Sequence, residues 1–474
     1  MPLQGIRPIA LALGLALLLN AVLSFDNLWP TPAIRPDSRI SLEFLLVWLA
    51  LLGIVGLPAH AARRATGWLA VLVTALVVGR YLDVTAPALF GRPISLYWDG
   101  RELPDVVGQL AAHLPTWQKL VIGPAVIAAL WLLHRGVQAL LRVTLVHAAP
   151  LARRTFAGRA LTVAAGLLVA ANLAGAEQTW PYVSRPLVTG WMNQIRIVLQ
   201  AMDPALIGST LPASPAFSAD LAPLHGGDFY LIFSESYGVA TLDDPAFSRP
   251  LQQDRARLAG RIASAGAEVV SMRVRSPTFG GASWLAHAAL LSGVDTRDPA
   301  RYQFLLTTDR GNLPRMFNRR GYRTLGVIPG LRTRWPEGRF YAWDRLFDSR
   351  TLDYRGPEFG YWRIPDQYTV AKVETDEPGH GGDPAASRPP RFLFFATISS
   401  HIPFRPLPPF QPQWNRLLGP EPFDPELVAD SLAKQPDWLN LQQPYIESIR
   451  YSFAGSPISS TGRGPEGRRC WCWA

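Results

Sequence analysis

Three segments of this chain end an apolar run or a glycine-rich turn with a side chain that can bind a ligand or react. Glu235 follows Phe229–Phe233, Ser283 follows the segment TFGGA, and His401 follows Phe392–Ile398. A carboxylate is a hard oxygen ligand of the kind that Mg²⁺ and Mn²⁺ prefer. A serine hydroxyl can attack phosphorus when a metal ion lowers its pKa. The residue types therefore indicate metal-assisted chemistry at a phosphate group.

Each of these residues also has a plainer structural interpretation, which the sequence leaves open. A serine ahead of a helix commonly caps the free N–H groups, although GGAS also brings the backbone close to a ligand at a helix N-terminus, where phosphate binds. Glu235 is equally consistent with a solvated carboxylate, and His401 with an ordinary loop histidine. His287, four residues after Ser283, shares its helix face and is interpreted as a supporting or core residue.

The elements that must position these residues alternate between strands and helices. Strands are predicted at 228–236, 267–274, 322–328 and 391–399, and helices at 282–293 and 313–320. Such alternation indicates an α/β domain with a mostly parallel sheet. Ligands of open parallel sheets collect beyond the carboxyl ends of the strands, which is where all three candidate residues lie.

The N-terminal third of the chain has the composition of a membrane domain. Five apolar stretches are predicted to span a bilayer: Pro8–Phe25, Ile40–Leu57, Gly67–Val84, Trp117–Leu133 and Ala160–Ala176. Each is long enough to cross a hydrocarbon core of about 30 Å. The third carries Arg80 and Asp83, which are one turn apart and either pair or lie at the interface.

The distribution of arginine predicts the orientation. Arginines are concentrated before the first stretch, between the second and third, and between the fourth and fifth. The positive-inside rule then places the N-terminus in the cytoplasm and everything after Ala176 outside, at the inner or plasma membrane and facing the periplasm. The formal net charge of +10 is spread over scattered arginines, so no nucleic-acid partner is expected.

The last residues differ from the rest of the chain. Both cysteines, Cys470 and Cys472, lie in the run GSPISSTGRGPEGRRCWCWA, which has no periodicity. Only three of the 46 basic residues are lysine, a bias typical of GC-rich genes. Translation of GC-rich DNA out of frame gives sequences rich in Gly, Arg, Pro, Cys and Trp, as in this run. We therefore expect the reading frame to change near Phe453 or Ala454. The expected domains are a membrane domain (1–176), a juxtamembrane linker (177–224), a catalytic domain (225–453) and an anomalous tail (454–474).

Taken together, several motifs resemble those of one family. They are LIFSESYG (231–238), SPTFGGASWLAHAALLSGV (276–294), RGYRTLGVIPG (320–330), RWPEGRFYAWDRLFD (334–348), FFATISSHIPF (394–404) and YIESIRYSF (445–453). Their order and spacing resemble the lipoteichoic acid synthase group, membrane phosphoglycerol transferases of the alkaline phosphatase and sulfatase superfamily. The resemblance implies a five-span α-helical membrane domain followed by an extracytoplasmic α/β domain with a mostly parallel sheet, incomplete at the C-terminus.

The resemblance also implies roles for individual residues. Glu235 and Ser283 would bind one divalent metal ion, Mn²⁺ or Mg²⁺ with Zn²⁺ also open, and Ser283 would be the nucleophile where well-known members have threonine. His401 would contact the phosphoglycerol group. Arg334 and Trp335 would bind substrate, although Glu337 or Arg339 fits another register. The implied partners are a membrane phospholipid donor, such as phosphatidylglycerol, and a glycan or polymer acceptor.

One part of the family pattern is missing. Its remaining metal ligands are an Asp-His pair downstream of the helix that matches 445–453, but residues 454–474 contain neither Asp nor His. The resemblance therefore implies a half-built metal site, a sheet without its last strands, and an inactive 474-residue form. Three alternatives stay open: a lipid phosphoethanolamine transferase, a sulfatase-family hydrolase, and a non-catalytic membrane protein.

Overall fold

The structure is a computed structural model. It describes residues 3–29, 31–90, 92–112, 114–174, 182–203, 208, 211–264, 275–278, 281–360, 362–378, 388–437, 440–455 and 470–473. The chain divides into two compact units. One consists mainly of Met1–Leu103 and Leu114–Met202, and the other mainly of Asp203–Thr278 and Ala282–Ala474.

The first unit is helical. Its helices are α1 (Leu3–Ser24), α2 (Leu42–Ile54), α3 (Ala59–Phe90), α4 (Leu96–Ala112), α5 (Thr116–His147), α6 (Ala149–Arg154), α7 (Phe156–Ala174) and α8 (Leu187–Met202). A two-stranded antiparallel ribbon, β1 (Asp26–Asn27) with β2 (Ile34–Arg35), connects α1 to α2. Its largest apolar core is formed by side chains of α1, α2, α3 and α5, such as Leu19, Leu51, Val73 and Leu141.

Among the described residues, three helices are long and apolar enough to cross a membrane, so the five predicted spans are not confirmed. They are Arg7–Ser24, Ala59–Leu89 and Thr116–Arg154, while Leu42–Ile54 and Phe156–Ala171 are shorter apolar helices. The helix α2 has 13 residues. At 1.5 Å per residue it rises only about 20 Å, which is less than the bilayer core. The last residues of the second predicted stretch, Val55–Leu57, lie beyond the helix, and the end of the fifth lies outside the described residues, so these two spans stay predictions.

The second unit is built on a parallel sheet. Its strands are β3 (Phe229–Phe233), β4 (Arg323–Ile328), β5 (Arg345–Asp348), β6 (Arg391–Ala396) and β7 (Cys470–Trp473), in the spatial order β5-β4-β6-β3-β7. All neighbours pair in parallel, and Phe229 lies opposite Phe392 in the central pair. The carboxyl ends of β3 and β6 therefore meet at one edge of the sheet.

Helices separate these strands along the chain. They are α9 (Ala240–Asp243), α10 (Pro245–Ser248), α11 (Gln252–Ser264), α12 (Ser283–Ser292), α13 (Pro299–Leu306), α14 (Leu313–Arg319), α15 (Asp366–Asp376), α16 (Pro425–Ala433) and α17 (Gln442–Ala454). Local sequence sets several boundaries. Asn312 caps α14 by accepting the Arg315 N–H at 2.9 Å, and Gly293 ends α12 with a left-handed φ of 66°.

Alternate residues of the central strands supply two apolar cores, one on each face of the sheet. Leu231, Phe392 and Phe394 belong to a cluster with α12, α13 and α14. Tyr230 and Ile232 belong to another, which includes residues of α15. Because both faces are covered, the strands are continuous apolar runs rather than alternating ones.

Most predicted elements of this unit are confirmed. The strands β3, β4 and β6 and the helices α12 and α14 lie where the sequence placed them. The predicted strand at 267–274 lies outside the described residues. The sheet was expected to lack its last strands, but Cys470–Trp473 pairs along the free side of β3. An unpaired strand edge is a template for any extended segment, and the alternating tryptophans of CWCW favour that conformation.

Candidate active site

The site lies where the carboxyl end of β3 meets the N-terminus of α12. Glu235 is two residues beyond the end of β3, and the Ser283 side chain lies near enough to its carboxylate to lower the pKa of that group. The Nε2 atom of His287 lies 2.8 Å from Oε1 of Glu235. Both of these side chains are nearly buried, at 10% and 13% exposure. The structure thus brings together Glu235 and Ser283, which the sequence predicts as site residues, and places His287 against Glu235.

The capping interpretation of Ser283 is wrong. Ser283 is the first residue of α12, and the cap position is Ala282, which makes no side-chain cap hydrogen bond. Gly281 and Ala282 have φ values of 128° and 56°, so the turn into the helix uses left-handed backbone. Ser283 therefore does not occupy the cap position of α12, and its side chain interacts with the Glu235 carboxylate.

The carboxyl ends of β3 and β6 are hydrogen-bonded to each other. The backbone N–H of Glu235 donates to Oγ1 of Thr397 at 2.9 Å, and the Ser400 hydroxyl donates to the Glu235 carbonyl. Ser236, the next residue, has a left-handed φ of 61°. These two hydrogen bonds fix the backbone of Glu235 relative to the loop that carries His401.

The surroundings of Glu235 keep its carboxylate ionised. Burial by itself raises the pKa of this carboxyl. The imidazole of His287, 2.8 Å away, and the nearby Ser283 side chain outweigh burial, so the pKa of Glu235 lies below its ordinary value. A carboxylate with a depressed pKa is a good hydrogen-bond acceptor and a poor base toward a hydroxyl. Glu235 is therefore suited to orient Ser283 rather than to remove its proton.

His401 presents a neutral imidazole at the same edge of the sheet. Burial lowers its pKa, as does the charge of His287, and the net shift is downward although Glu235 opposes it. Its Nδ1 lies 3.1 Å from the carbonyl oxygen of Ile398. Because a carbonyl only accepts, Nδ1 carries the proton and Nε2 is left as an acceptor. Trp362 packs against the ring with centroids 4.8 Å apart, and both line a small cavity with Arg363 and Arg405.

The loop after β6 is held by a buried carboxyl that sequence analysis did not identify. Asp366, at the start of α15, is 2% exposed. Its Oδ1 and Oδ2 accept the N–H groups of Ile398 and Ser399 at 2.8 and 2.9 Å, and its own N–H donates to the Ser399 hydroxyl at 3.1 Å. Burial raises the pKa of Asp366 to about 6, although these bonds oppose the shift. Asp366 thereby positions the backbone next to His401.

Replacing Asp366 with Asn should destabilise the second unit by an amount that depends on pH. The folded pKa of about 6 exceeds the ordinary value of 3.8, so folding favours the protonated form. The stability that this group contributes is greatest at low pH and is lost as the pH rises through about 6. The cost of Asp366→Asn should therefore be about 2 kcal/mol larger at about pH 4.5 than at about pH 7.5. Denaturation midpoints of the unmodified protein and of Asp366→Asn, measured in detergent at both pH values, give this difference. An equal cost at the two pH values would contradict the role assigned to Asp366.

Within the described part of the chain, no contact is seen between Arg334 or Trp335 and the site residues Glu235, Ser283 and His401. Arg334 is exposed. Trp335 is half-buried and packs on Tyr341, with ring centroids 5.6 Å apart. Their role toward substrate stays a prediction.

The residues that could bind a divalent ion do not form a complete site. Glu235 and Ser283 provide one carboxylate and one hydroxyl, and the imidazole of His287 faces Glu235. Within the described residues, no group of three or more His, Cys, Asp or Glu side chains could hold a metal ion. Two oxygen ligands are too few to bind such an ion well, so the donors present do not fit the ion that the resemblance implies.

Comparison with models of known protein families finds no match to this chain, and comparison with curated proteins also finds none. The interpretation of the site therefore depends on its geometry and on the resemblance of its motifs.

Proposed function

We propose that the second unit belongs to an enzyme that transfers phosphoglycerol from an anionic phospholipid to a glycan or polymer acceptor outside the cytoplasm, through a covalent intermediate on Ser283, and that the 474-residue form is itself inactive toward that lipid. The single observation that carries the proposal is the position of Ser283, at the N-terminus of α12 and beside the buried Glu235 carboxylate at the carboxyl edge of a parallel sheet. A serine in that position is oriented for attack rather than for capping. The membrane-spanning helices suit a donor whose headgroup lies at a bilayer surface.

The proposed reaction has two displacements at phosphorus. In the first, Oγ of Ser283 bonds to phosphorus while the bond to the diacylglycerol oxygen breaks, and the serine proton passes to that oxygen. In the second, an acceptor hydroxyl attacks the same phosphorus, the serine oxygen leaves, and the acceptor's proton returns to Ser283. Ser283 is the first residue of the ten-residue helix α12, and a helix N-terminus stabilises negative charge on a phosphoryl group.

His401 is assigned to the headgroup. Its neutral ring leaves Nε2 as a hydrogen-bond acceptor, which suits a glycerol hydroxyl. The arginines of the adjacent cavity, Arg363 and Arg405, pair with Glu358 and Glu447. The resemblance implies that a divalent ion assists these steps, and the donors present do not fit it, so the 474-residue form should carry out neither step on the natural lipid.

The specificity of the site can be tested with an activated probe, the p-nitrophenyl ester of a glycerol phosphonate. Attack by Ser283 forms the Oγ–phosphorus bond and breaks the bond from phosphorus to the p-nitrophenyl oxygen; p-nitrophenolate leaves and the serine proton passes to water. We expect glycerol phosphate to protect Ser283 from labelling more strongly than phosphoethanolamine or sulfate does. Stronger protection by phosphoethanolamine or by sulfate would favour the corresponding alternative enzyme, and the absence of any labelling would favour a non-catalytic protein.

The 474-residue chain should neither turn over phosphatidylglycerol nor retain Mn²⁺ in a one-to-one ratio. The reason is the donor set, one carboxylate and one hydroxyl, because a weakly held ion is lost on dialysis. Metal analysis after dialysis and release of diacylglycerol from labelled lipid check both statements. Release that disappears in Ser283→Ala would contradict the expected inactivity.

A further inference from the structure

The helix α8 (Leu187–Met202) has three distinct faces. At about 100° per residue, Val188, Trp191, Ile195, Leu199 and Met202 form one stripe. All five of these side chains are between 40% and 74% exposed. Thr189, Asn193 and Arg196 form a polar stripe beside it, and Leu187, Gly190 and Gln194 form a third that faces the rest of the unit. Such an exposed apolar stripe next to a polar one is typical of helices that lie in a membrane interface.

The inner face of α8 packs closely on α3. A Cβ atom added at Gly79 would lie 3.0 Å from Leu187 and 3.1 Å from the Trp191 indole nitrogen. Gln194 donates to the carbonyl of Ile94 at 2.7 Å and accepts the N–H of Leu96 at 2.9 Å. A larger residue at position 79 would force these neighbours to shift, so α8 packs closely on α3 through Leu187 and the inward edge of Trp191.

A buried carboxylate joins the start of α8 to the start of α2. Glu43 is 4% exposed. It accepts the N–H of Leu187, the first residue of α8, at 2.6 Å, and the Ser41 hydroxyl at 2.7 Å. Glu43 also lies in the first turn of α2. One negative charge therefore lies at two helix N-termini, where it is electrostatically favoured.

A buried arginine joins the same region to the end of α1. Arg80 is 3% exposed and donates to the carbonyls of Phe25 and Arg185 at 3.0 and 2.9 Å. Its described bonds thus go to backbone carbonyls rather than to Asp83. Phe25 directly follows α1, and Ile40, just before α2, forms a parallel bridge with Val183. The start of α8 is therefore held at the level where α1 ends and α2 begins.

We infer that α8 lies flat in the interface of the bilayer that the long helices cross, with its apolar stripe in the lipid. Its 16 residues include Asn193, Gln194 and Arg196, so it is too short and too polar to be a span. Its attachment beside the end of the apolar helix α1 places the stripe at the depth of a membrane boundary. A tryptophan at that level, Trp191, suits the headgroup region. This inference does not depend on the proposed function.

Spin-label accessibility in the full chain tests the inference. Cys470 and Cys472 are replaced with Ser, and single cysteines are introduced at Ile195 on the apolar stripe and at Arg196 on the polar one. The labelled proteins are reconstituted in vesicles of phosphatidylcholine and phosphatidylglycerol. We expect the ratio of oxygen accessibility to aqueous nickel-chelate accessibility to be at least about threefold higher at 195 than at 196. Ile127, which is 69% exposed on α5, provides the reference for a lipid-facing position.

The same labels distinguish lipid from water and from protein as the environment of the apolar stripe. Equal ratios at 195 and 196 would show that the stripe faces water, and protection of 195 from both reagents would show that protein covers it; either result overturns the inference. The substitution Gly79→Leu should displace α8 and lower the ratio at 195 while leaving that at 127 unchanged. An unchanged ratio at 195 in this variant would overturn the role assigned to the contact with α3.

Discussion

Replacing Arg391 with Met is expected to destabilise the second unit by about 3–5 kcal/mol, because it leaves the buried carboxylate of Asp228 and the partly buried one of Glu374 without their cation. The Arg391 side chain is 3% exposed. Its guanidinium lies 3.1 Å from Glu374 and 3.7 Å from Asp228, and it donates to the hydroxyl of Tyr230. Asp228 is itself 1% exposed, so water cannot replace the lost charge. Arg391 begins the central strand β6, so the loss extends to the centre of the sheet.

Urea denaturation of the full chain in detergent, followed by proteolysis of the second unit, measures this change. The matched control is Arg355→Met, since Arg355 is 84% exposed and pairs with Asp353, which is 63% exposed. An exposed pair of this kind contributes only about 0–1 kcal/mol. Similar midpoints for the two variants would contradict the assignment of Arg391 as a buried structural charge.

Replacing Glu235 with Gln should slow the reaction of Ser283 with the phosphonate probe by about tenfold or more, since a hydrogen bond to a charged acceptor is worth about 1.5–3 kcal/mol. Gln keeps the size of the side chain but removes the charge that orients the Ser283 hydroxyl and faces His287. The rate of p-nitrophenolate release gives the effect directly.

The control for this substitution is Glu337→Gln. Glu337 is exposed, and it is the acidic residue that another register of the substrate segment would place at the site. We expect its replacement to leave the rate unchanged. A loss of rate in Glu337→Gln that equals the loss in Glu235→Gln would contradict the assignment of Glu235.

The sheet could be predicted from the sequence where strands are buried on both faces. The runs at β3, β4 and β6 are continuous and apolar, so their pattern is unambiguous. The strand β5 has only four residues and begins and ends with charge, which hides it within a polar segment. The ends of the membrane helices were less predictable, because apolar residues continue past the last helical turn of α2.

The candidate site could be predicted only in part, because sequence shows which residues share an element and not what faces them. Glu235 and Ser283 follow recognisable signals, a strand end and a glycine-rich turn. The spacing of His287 places it on the face of Ser283, but its contact with Glu235 is between elements. Asp366 lies more than 30 residues before the loop that it holds and follows no apolar pattern. Long-range contacts of single polar side chains have no local signature.

The most direct test of the central claim is to identify the residue that the glycerol phosphonate probe modifies in the intact 474-residue protein. Mass spectrometry of a proteolytic digest locates the adduct, and no metal ion or acceptor is needed. We predict modification at Ser283, about tenfold above any other serine, because the Glu235 carboxylate orients the hydroxyl at the N-terminus of α12. We also predict that Ser283→Thr retains labelling and Ser283→Ala abolishes it. Labelling that is spread equally over exposed serines, or that persists in Ser283→Ala, would contradict the claim that Ser283 is the nucleophile.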